Sequence, residues 1–510
     1  MSYKNSLAKT PTSITSLLKT LGPDIDEIGD LDKEVTITGI TNDSRKVKNG
    51  DLFVAYKGIN EDGHKYINQA IENGAKAIIT EKQKNELKDS QVPYLKVKDG
   101  RKALAKASAA LYEYPSNKMF VTGITGTNGK TSSTFLIDYL LNCDNKSSGL
   151  LGTVYNKFKD KKVNSSLTTP TAPELQESLY NMYKDNIDYV TMEVSSHSLK
   201  EKRVNEIDFD IAGITNFSVD HLDYHPNYRD YFLSKANLFK LLKPDSYAIF
   251  NVDDPIVLEF CNRTRANIIT YSLDYDHSMI KISNLKLLNQ KSEFDLQINE
   301  EIPTLNNEII SPGKTPISIP LPGKHNVYNA ALAIICSALL GVKLEDIANY
   351  LPEFKGLFRR FQVVHKNNFT VIDDFAHNPA SIKAVINTVK QLPFNSLILV
   401  FGVRGGRGVK INLQNAKTLS QELKDIPLKE LIITKYKDLE EQQNSISKAE
   451  FDTFYNSLNR TNDTNLNINV KEELKPALKK AVRLANKNDI ILLIGGHGMD
   501  SAQTILKEII

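Results

Sequence analysis

Short, almost wholly apolar runs punctuate this chain: Val35–Ile40, Asp51–Ala55, Ala77–Thr80, Tyr94–Val97, Met119–Thr125, Tyr189–Val194, Ile211–Thr215 and Tyr247–Asn251. Most do not alternate with polar residues, the pattern of strands buried on both faces. Between them lie helix-like segments such as His64–Gly74 and Ser132–Asn142. Strands alternating with helices predict parallel, doubly wound sheets, whose ligands sit at the carboxyl ends of the strands. Residues 278–320 break the rhythm: polar and apolar positions alternate over Ile280–Leu287 and Glu293–Ile298, which predicts an antiparallel excursion before Gly323. The rhythm returns after Gly356, with runs at Thr370–Ile372, Leu397–Phe401, Leu431–Thr434 and Asp489–Ile494. The polar stretch Glu440–Asn465 reads as a long surface helix and loop.

The 510 residues exceed what one core holds. The pattern divides them at residues 1–115, 116–355 and 356–510. With 41% hydrophobic and 25% charged residues, the composition is that of an ordinary globular protein. A net charge of +3 without a basic block gives no sign of a nucleic-acid partner. Cys143, Cys261 and Cys336 lack metal-site spacing and read as small buried hydrophobes in a reducing compartment. No apolar segment reaches bilayer length, and Met1–Thr20 has no signal-peptide core, so the expectation is a cytoplasmic protein with no membrane partner.

One segment changes the picture. Gly126-Thr127-Asn128-Gly129-Lys130-Thr131 lies between a strand and a helix start. Such a turn aims backbone N–H groups and the positive helix end at phosphates; Lys130 adds a point charge, and the Thr131 hydroxyl is placed to ligate Mg²⁺. The commonest phosphate-loop pattern has Gly six residues before the Lys, where this chain has Ile124. Glu193 ends a strand and precedes Ser195-Ser196-His197, a position suited to a metal carboxylate beside that loop. Downstream, Asn216-Phe217-Ser218-Val219-Asp220-His221-Leu222-Asp223-Tyr224-His225 lacks the helical His pair of a zinc hydrolase. Lys235 falls on an amphipathic helix, where a lysine ordinarily faces solvent.

These motifs, in this order, resemble the Mur ligase family, whose members join amino acids to a carboxylate at the expense of ATP. The resemblance implies an α/β fold of three domains: a small α/β N-terminal domain, a phosphate-loop central domain with a mostly parallel sheet, and a Rossmann-like C-terminal domain. It implies ATP contacts at Gly126 through Ser132, at Asn251, at Asn326 in Gly323-Lys324-His325-Asn326, and at Arg360 and Asp374 from the third block. Mg²⁺ would be held by Thr131, Glu193, His221 and a CO₂-modified Lys235, and the catalytic set would be Lys130, Lys235 and His221. His225 reads equally well as structural.

In the first block, Thr41-Asn42-Asp43-Ser44-Arg45, Gly50-Asp51-Leu52-Phe53 and Asp62-Gly63-His64 resemble the uridine-binding domain of the branch that adds the third residue of the peptidoglycan stem. Ser44, Arg45, His64, Thr168, Thr169, Ser195, Arg203 and Arg407 would then contact substrate. The implied partners are a UDP-linked peptide precursor and a free amino acid, and the expectation is a monomer. Two related readings stay open: an archaeal pseudomurein peptide ligase, and a folylpolyglutamate- or cyanophycin-type ligase, which would lack this first block. A non-catalytic ATP-binding regulator would be expected to have lost Lys130, Glu193 or Lys235.

The third block departs from the branch where the amino acid is chosen. Gly402-Val403-Arg404-Gly405-Gly406-Arg407-Gly408 keeps Arg407 but has Gly in place of both acids of the branch pattern. Lys435-Tyr436-Lys437-Asp438 stands where an Asp-Asn-Pro-Arg motif selects diaminopimelate, and Gly495-Gly496-His497-Gly498 departs likewise. Without that arginine, a distal carboxylate loses its bidentate partner, so diaminopimelate is expected to be a poor substrate.

Overall fold

The computed structural model describes residues 12–29, 35–59, 61–83, 92–439, 445–460 and 466–510. Three α/β bodies follow one another. The first holds a five-stranded sheet in the order Ile25–Gly29, Tyr94–Val97, Ala77–Thr80, Asp51–Ala55, Gly39–Thr41, parallel except for the first pair. The expected strand over Val35–Ile40 splits at Thr38: Thr36–Ile37 pairs with Thr12–Ser13, and Gly39–Thr41 enters the five-stranded sheet. Gly39 fits there because a Cβ would lie 2.0 Å from Asp51 Oδ1.

The central sheet has eleven strands among the described residues. Phe120–Thr125 lies inside it, flanked by Tyr189–Glu193 and Ile211–Ile214, all parallel. The chain leaves Phe120–Thr125 toward Ser148–Leu151, returns between them as Tyr189–Glu193, then crosses to the far side as Ile211–Ile214. That reversal opens a crevice at the carboxyl ends of these strands. Beyond Asn267–Ser272 the sheet turns antiparallel through Ile280–Leu287, Ser292–Ile298 and Gly313–Ile319, so the excursion extends the sheet edge. Both faces are covered. Helices Lys130–Cys143 and Lys324–Leu339 bury Leu136, Leu140, Ala331 and Ile335 against Ile124 and Ile249. Ala172–Lys184 and Tyr228–Lys240 bury Leu175, Leu179 and Phe239 against Val121 and Val190. Each fully buried Leu, Ile, Val or Phe among them contributes about 1.5–3 kcal/mol on burial.

The third body is a six-stranded sheet in the order Gln362–Lys366, Thr370–Asp374, Ile490–Gly495, Leu397–Gly402, Leu428–Thr434, Ile468–Lys471, parallel after the first pair. The polar stretch expected as a surface helix and loop needs correcting. Residues 440–444 and 461–465 lie outside the described residues, but helix Lys448–Arg460 is a layer of the core: Phe454 and Leu458 are fully buried, and Phe454 stacks on Phe401 at 5.3 Å. Phe451 and Tyr455 pack partly buried beside them, and the polar residues between these positions masked the apolar stripe.

Cys336 is buried as expected, while Cys143 and Cys261 are half-buried, and all three are free thiols. No helix among the described residues is long and apolar enough to cross a membrane.

Candidate active site

The phosphate loop is shaped by two glycines that no other residue could replace. Gly126 adopts φ +138°, and a Cβ there would lie 1.9 Å from Thr215 Oγ1; Gly129 adopts φ +87°, and its Cβ would lie 2.2 Å from Asn329 Oδ1. Asn216, at the end of the neighbouring strand, braces the turn: its backbone carbonyl accepts from the Thr127 N–H at 3.0 Å, its Oδ1 from the Asn128 N–H at 3.0 Å, and its amide donates to the Asn128 carbonyl at 2.9 Å. Helix Lys130–Cys143 starts immediately after, leaving its first N–H groups facing the crevice.

Two lysines converge on one carbonyl. Lys130 Nζ donates to the Gly126 carbonyl at 2.9 Å and to that of Thr127 at 3.1 Å, and Lys235 Nζ donates to the Gly126 carbonyl at 2.8 Å. Lys235 is fully buried, contrary to the ordinary expectation for a helical lysine, with its ammonium 4.8 Å from the Tyr231 ring centroid. Burial, then the nearby Lys130 charge, holds Lys235 well below the usual lysine range; burial lowers Lys130 also.

Glu193 is buried at its strand tip. It accepts from Thr131 Oγ1 at 3.1 Å, from the Thr153 N–H at 2.8 Å and from Thr153 Oγ1 at 3.0 Å. From Glu193 a strip of contacts runs outward. Thr153 Oγ1, its proton on Glu193, accepts from the Thr168 hydroxyl; Thr169 Oγ1 donates to the Glu193 carbonyl at 2.9 Å and accepts from the Ser195 N–H; Arg203 reaches the Thr169 carbonyl at 2.9 Å. Ser195 also caps the short helix Ser196–Lys200.

The third body closes this crevice. Arg360 donates to Thr131 Oγ1 at 3.3 Å, the Asn378 amide to Asn128 Oδ1 at 2.9 Å and to Asp220 at 3.0 Å, and Arg407 Nη1 to His221 Nδ1 at 2.7 Å. The enclosed cleft holds about 520 Å³. Thr127 through Ser132, Thr168, Glu193, His221, Asn326, Arg360, Asp374 and Arg407 line it, whereas Asn251 and Gly126 do not. Asn251 sits behind the wall, accepting from the Asp253 N–H, while Asp254 of the same turn reaches the cleft.

Arg360 is positioned by an unusual neighbour. Arg359, at φ +53° and fully buried, pairs with Asp373 at 3.0 Å and Asp500 at 2.6 Å and donates to the carbonyls of Gly495 and Gly496. It clamps the carboxyl edge of the last sheet, and Phe375 lies against both guanidinium groups. Asp374 accepts from the N–H groups of Phe361 and Ala376, and burial raises its carboxyl to about 6.

His221 stands beside His197, and burial holds it well below the usual histidine range. Because arginine only donates, its bond occupies the lone pair of a neutral His221 at Nδ1. Among the described residues no three of His, Cys, Asp and Glu form a set able to hold a metal by themselves. Thr131 and Glu193 fit Mg²⁺, which needs few protein oxygens when phosphates supply the rest, whereas His221 would join only after Arg407 lets go. His225 is fully buried between Asp230 at 2.6 Å and Ser196 Oγ at 3.0 Å, partners that suit the structural reading.

Ser44 and Arg45 lie apart from the crevice, on a cleft of about 620 Å³ in the first body. Ser44 bonds Gln69, and Arg45 pairs with Asp43. His64 is turned inward, between Asp62 and the Glu81 N–H, and does not line that cleft.

Half-buried His197, His325 and His377 are held near 3, 4 and 3, desolvation being the main cause. A base whose folded pKa is depressed stabilises the fold above its unfolded value, about 6.5, and that contribution is lost as pH falls toward the folded value. Asp374 acts oppositely, its burden lifting below about 6. His221 and His225 are lowered too, and Asp210 is raised to about 6 like Asp374. The net expectation from five histidines against these two carboxyls is that stability in urea falls between about pH 6.5 and 4, and that His325→Phe makes the fall shallower. Equal slopes for variant and parent would disprove it.

A phosphate loop, a carboxylate-tipped parallel strand beside it and an arginine delivered by a further α/β body define a nucleotide-dependent ligase. Three family descriptions match: Mur ligase family, catalytic domain, over residues 36–112; Mur ligase middle domain over 124–337; and Mur ligase, glutamate ligase domain, over 359–497. A Clostridium botulinum protein named UDP-N-acetylmuramoyl-L-alanyl-D-glutamate–2,6-diaminopimelate ligase is 36% identical over 478 residues, covering 92% of each chain. A solved structure of a ligase of that name aligns with TM-score 0.66 and 23% identity over 98% of this chain and 99% of its own. A Thermotoga maritima MurF ligase in complex with ADP aligns with TM-score 0.62 and 18% identity over 92% and 97%. The chain belongs to the Mur ligase family and is an ATP-dependent, ADP-forming amide ligase.

Proposed function

We propose that this ligase activates the terminal carboxylate of a UDP-linked cell-wall peptide precursor as an acyl phosphate and joins it to an amino acid. The observation that carries the reading is the closed crevice, in which Lys130, Glu193 and Thr131 of the central body meet Arg360 of the last. ATP phosphates lie on the first N–H groups of helix Lys130–Cys143; Lys130 and Arg360 offset the charge that develops on the transferring phosphoryl group. Thr131, Glu193 and a carbamylated Lys235, with His221 once freed of Arg407, would hold Mg²⁺, which would supply further charge neutralisation. The acceptor carboxylate attacks the γ-phosphorus, ADP departs, and the amine of the amino acid then displaces phosphate from the acyl carbon.

Carbamylation of Lys235 is supported by its burial and its lowered basicity: the neutral amine attacks CO₂, an N–C bond forms and one proton leaves. The uridine end of the precursor fits the Ser44–Arg45 cleft, and Thr168, Thr169, Ser195 and Arg203 form the strip leading from Glu193. The reading places the divisions near residues 115 and 355, and the protein acts as a cytoplasmic monomer.

ADP release should require both a UDP-muramoyl dipeptide (or a pseudomurein-type precursor) and an amino acid. ADP release at the same rate without an acceptor would overturn the reading.

A further inference from the structure

Arg360, the arginine that the last body brings to the phosphate site, stands on a turn held in an unfavourable shape. Residues 357–361 join the central body to Gln362–Lys366, the first strand of the last. On either side of Arg360 the backbone is left-handed, with φ +53° at Arg359 and +49° at Phe361. Residues with a Cβ stay there only where their surroundings hold them. Phe361 is held by Asp374, whose carboxylate accepts from the Phe361 N–H at 2.7 Å. Arg359 is held by its own side chain.

The fully buried Arg359 guanidinium has five N–H groups, and each finds an acceptor. Nε donates to Asp373 Oδ1 at 3.0 Å, and Nη1 to the Gly496 carbonyl at 2.8 Å and Asp500 Oδ1 at 2.6 Å. Nη2 donates to the carbonyls of Gly495 at 2.7 Å and Asp374 at 3.3 Å. Gln503, on the final helix Ala502–Ile509, extends the network: its amide donates to Asp373 Oδ2 at 3.0 Å and to Gln362 Oε1 at 2.8 Å. The same Gln362 oxygen accepts from the Arg359 N–H at 3.0 Å. The ends of strands Thr370–Asp374 and Ile490–Gly495 and the last helix are thereby gathered on one side chain. A buried network with every donor satisfied is rigid, and it needs the planar fork of an arginine.

The network reaches the crevice through the Arg359 carbonyl. That oxygen accepts from the Phe375 N–H at 2.9 Å and from Arg360 Nη1 at 3.0 Å, while Arg360 Nη2 donates to Thr131 Oγ1 at 3.3 Å. The Phe375 ring lies against both guanidinium groups, at 5.1 and 4.9 Å. Fixing the Arg359 peptide therefore fixes where Arg360 points. Arg359 itself does not line the cleft, so any influence on the reaction passes through its neighbour.

Resting on the ligase reading above, we infer that Arg359 is a positioning residue for phosphoryl transfer: its buried network with Asp373 and Asp500 aims Arg360 at the transferring phosphoryl group.

Kinetics on the full chain test the inference. ADP release would be followed with UDP-muramoyl dipeptide or a pseudomurein-type precursor, whichever the parent uses, and an equimolar mixture of L-lysine, L-alanine, L-glutamate and diaminopimelate. Arg359→Gly suits the left-handed backbone and removes the network. It should lower kcat about tenfold or more while the KM for the precursor stays within about twofold, because a misaimed group costs rate rather than remote binding. The same change made in Arg360→Gln should cost less than about twofold further, since residues that act as a unit are not additive. Asp500→Ala, at a half-exposed carboxylate, should show the same pattern more weakly, about threefold in the parent background. It decides the matter if melting curves show that Arg359→Gly does not fold. Parent-like kcat in the deciding variant, equal losses in both backgrounds, or a precursor KM that rises as kcat falls overturns the inference. A parent that uses neither precursor, or releases ADP as fast without one, overturns the ligase reading instead.

Discussion

Lys130→Ala should lower ATP turnover by about 10²–10³-fold, the usual loss when one preorganised charge or donor facing a developing negative charge is removed. The fold should survive. Lys130 Nζ gives two hydrogen bonds to carbonyls of its own loop, so its removal costs the native state on the order of 1 kcal/mol each. For a body of this size such a loss moves the melting temperature by only a few degrees, about 2–4 °C per kcal/mol. Steady-state phosphate release and a melting curve on the same preparation check both halves. Parent-like turnover with an intact fold would remove Lys130 from the phosphate site.

Lys235→Ala should be the other severe variant, with turnover down at least about 10²-fold, equivalent to about 2.7 kcal/mol. An unmodified Lys235 would place a second ammonium beside Lys130 on the same Gly126 carbonyl, in a site that must also receive a polyanion and a cation. A carbamate turns that repulsion into an anionic ligand. Small carboxylic acids such as formate or acetate should then partly restore the alanine variant by occupying the vacated space. They should do nothing for Lys130→Ala, whose missing group is a cation. Equal rescue of both variants, or of neither, together with an unmodified lysine mass in active parent enzyme, would contradict the modification.

Much of this architecture was legible because strands buried on both faces are written as continuous apolar runs. Asp51–Ala55, Ala77–Thr80, Tyr94–Val97 and Tyr247–Asn251 begin and end where the pattern places them. The break at Thr38 was not legible, since it depends on Asp51 lying against Gly39 rather than on local preference. Helix Lys448–Arg460 hid its core contacts among interspersed polar residues, although Phe454 and Leu458, and likewise Phe451 and Tyr455, lie four positions apart.

In the site, the loop and the strand-end Glu193 could be read because both the chemistry and its place on a strand or helix end are local. Asn216 and Asp220 lay within a string already noticed but had no assigned role. Asn378 gave no local signal: its importance comes from contacts with residues far away in the chain, Asn128 and Asp220. Arg359 was visible only as a departure, yet it is the buried clamp beside Arg360.

The central claim, activation of a carboxylate by direct phosphoryl transfer, is tested most directly by isotope transfer. With the acceptor's terminal carboxylate labelled with ¹⁸O, one labelled oxygen should appear in each phosphate released, alongside ADP and the new amide. Unlabelled phosphate, or AMP and pyrophosphate as the products, would contradict it.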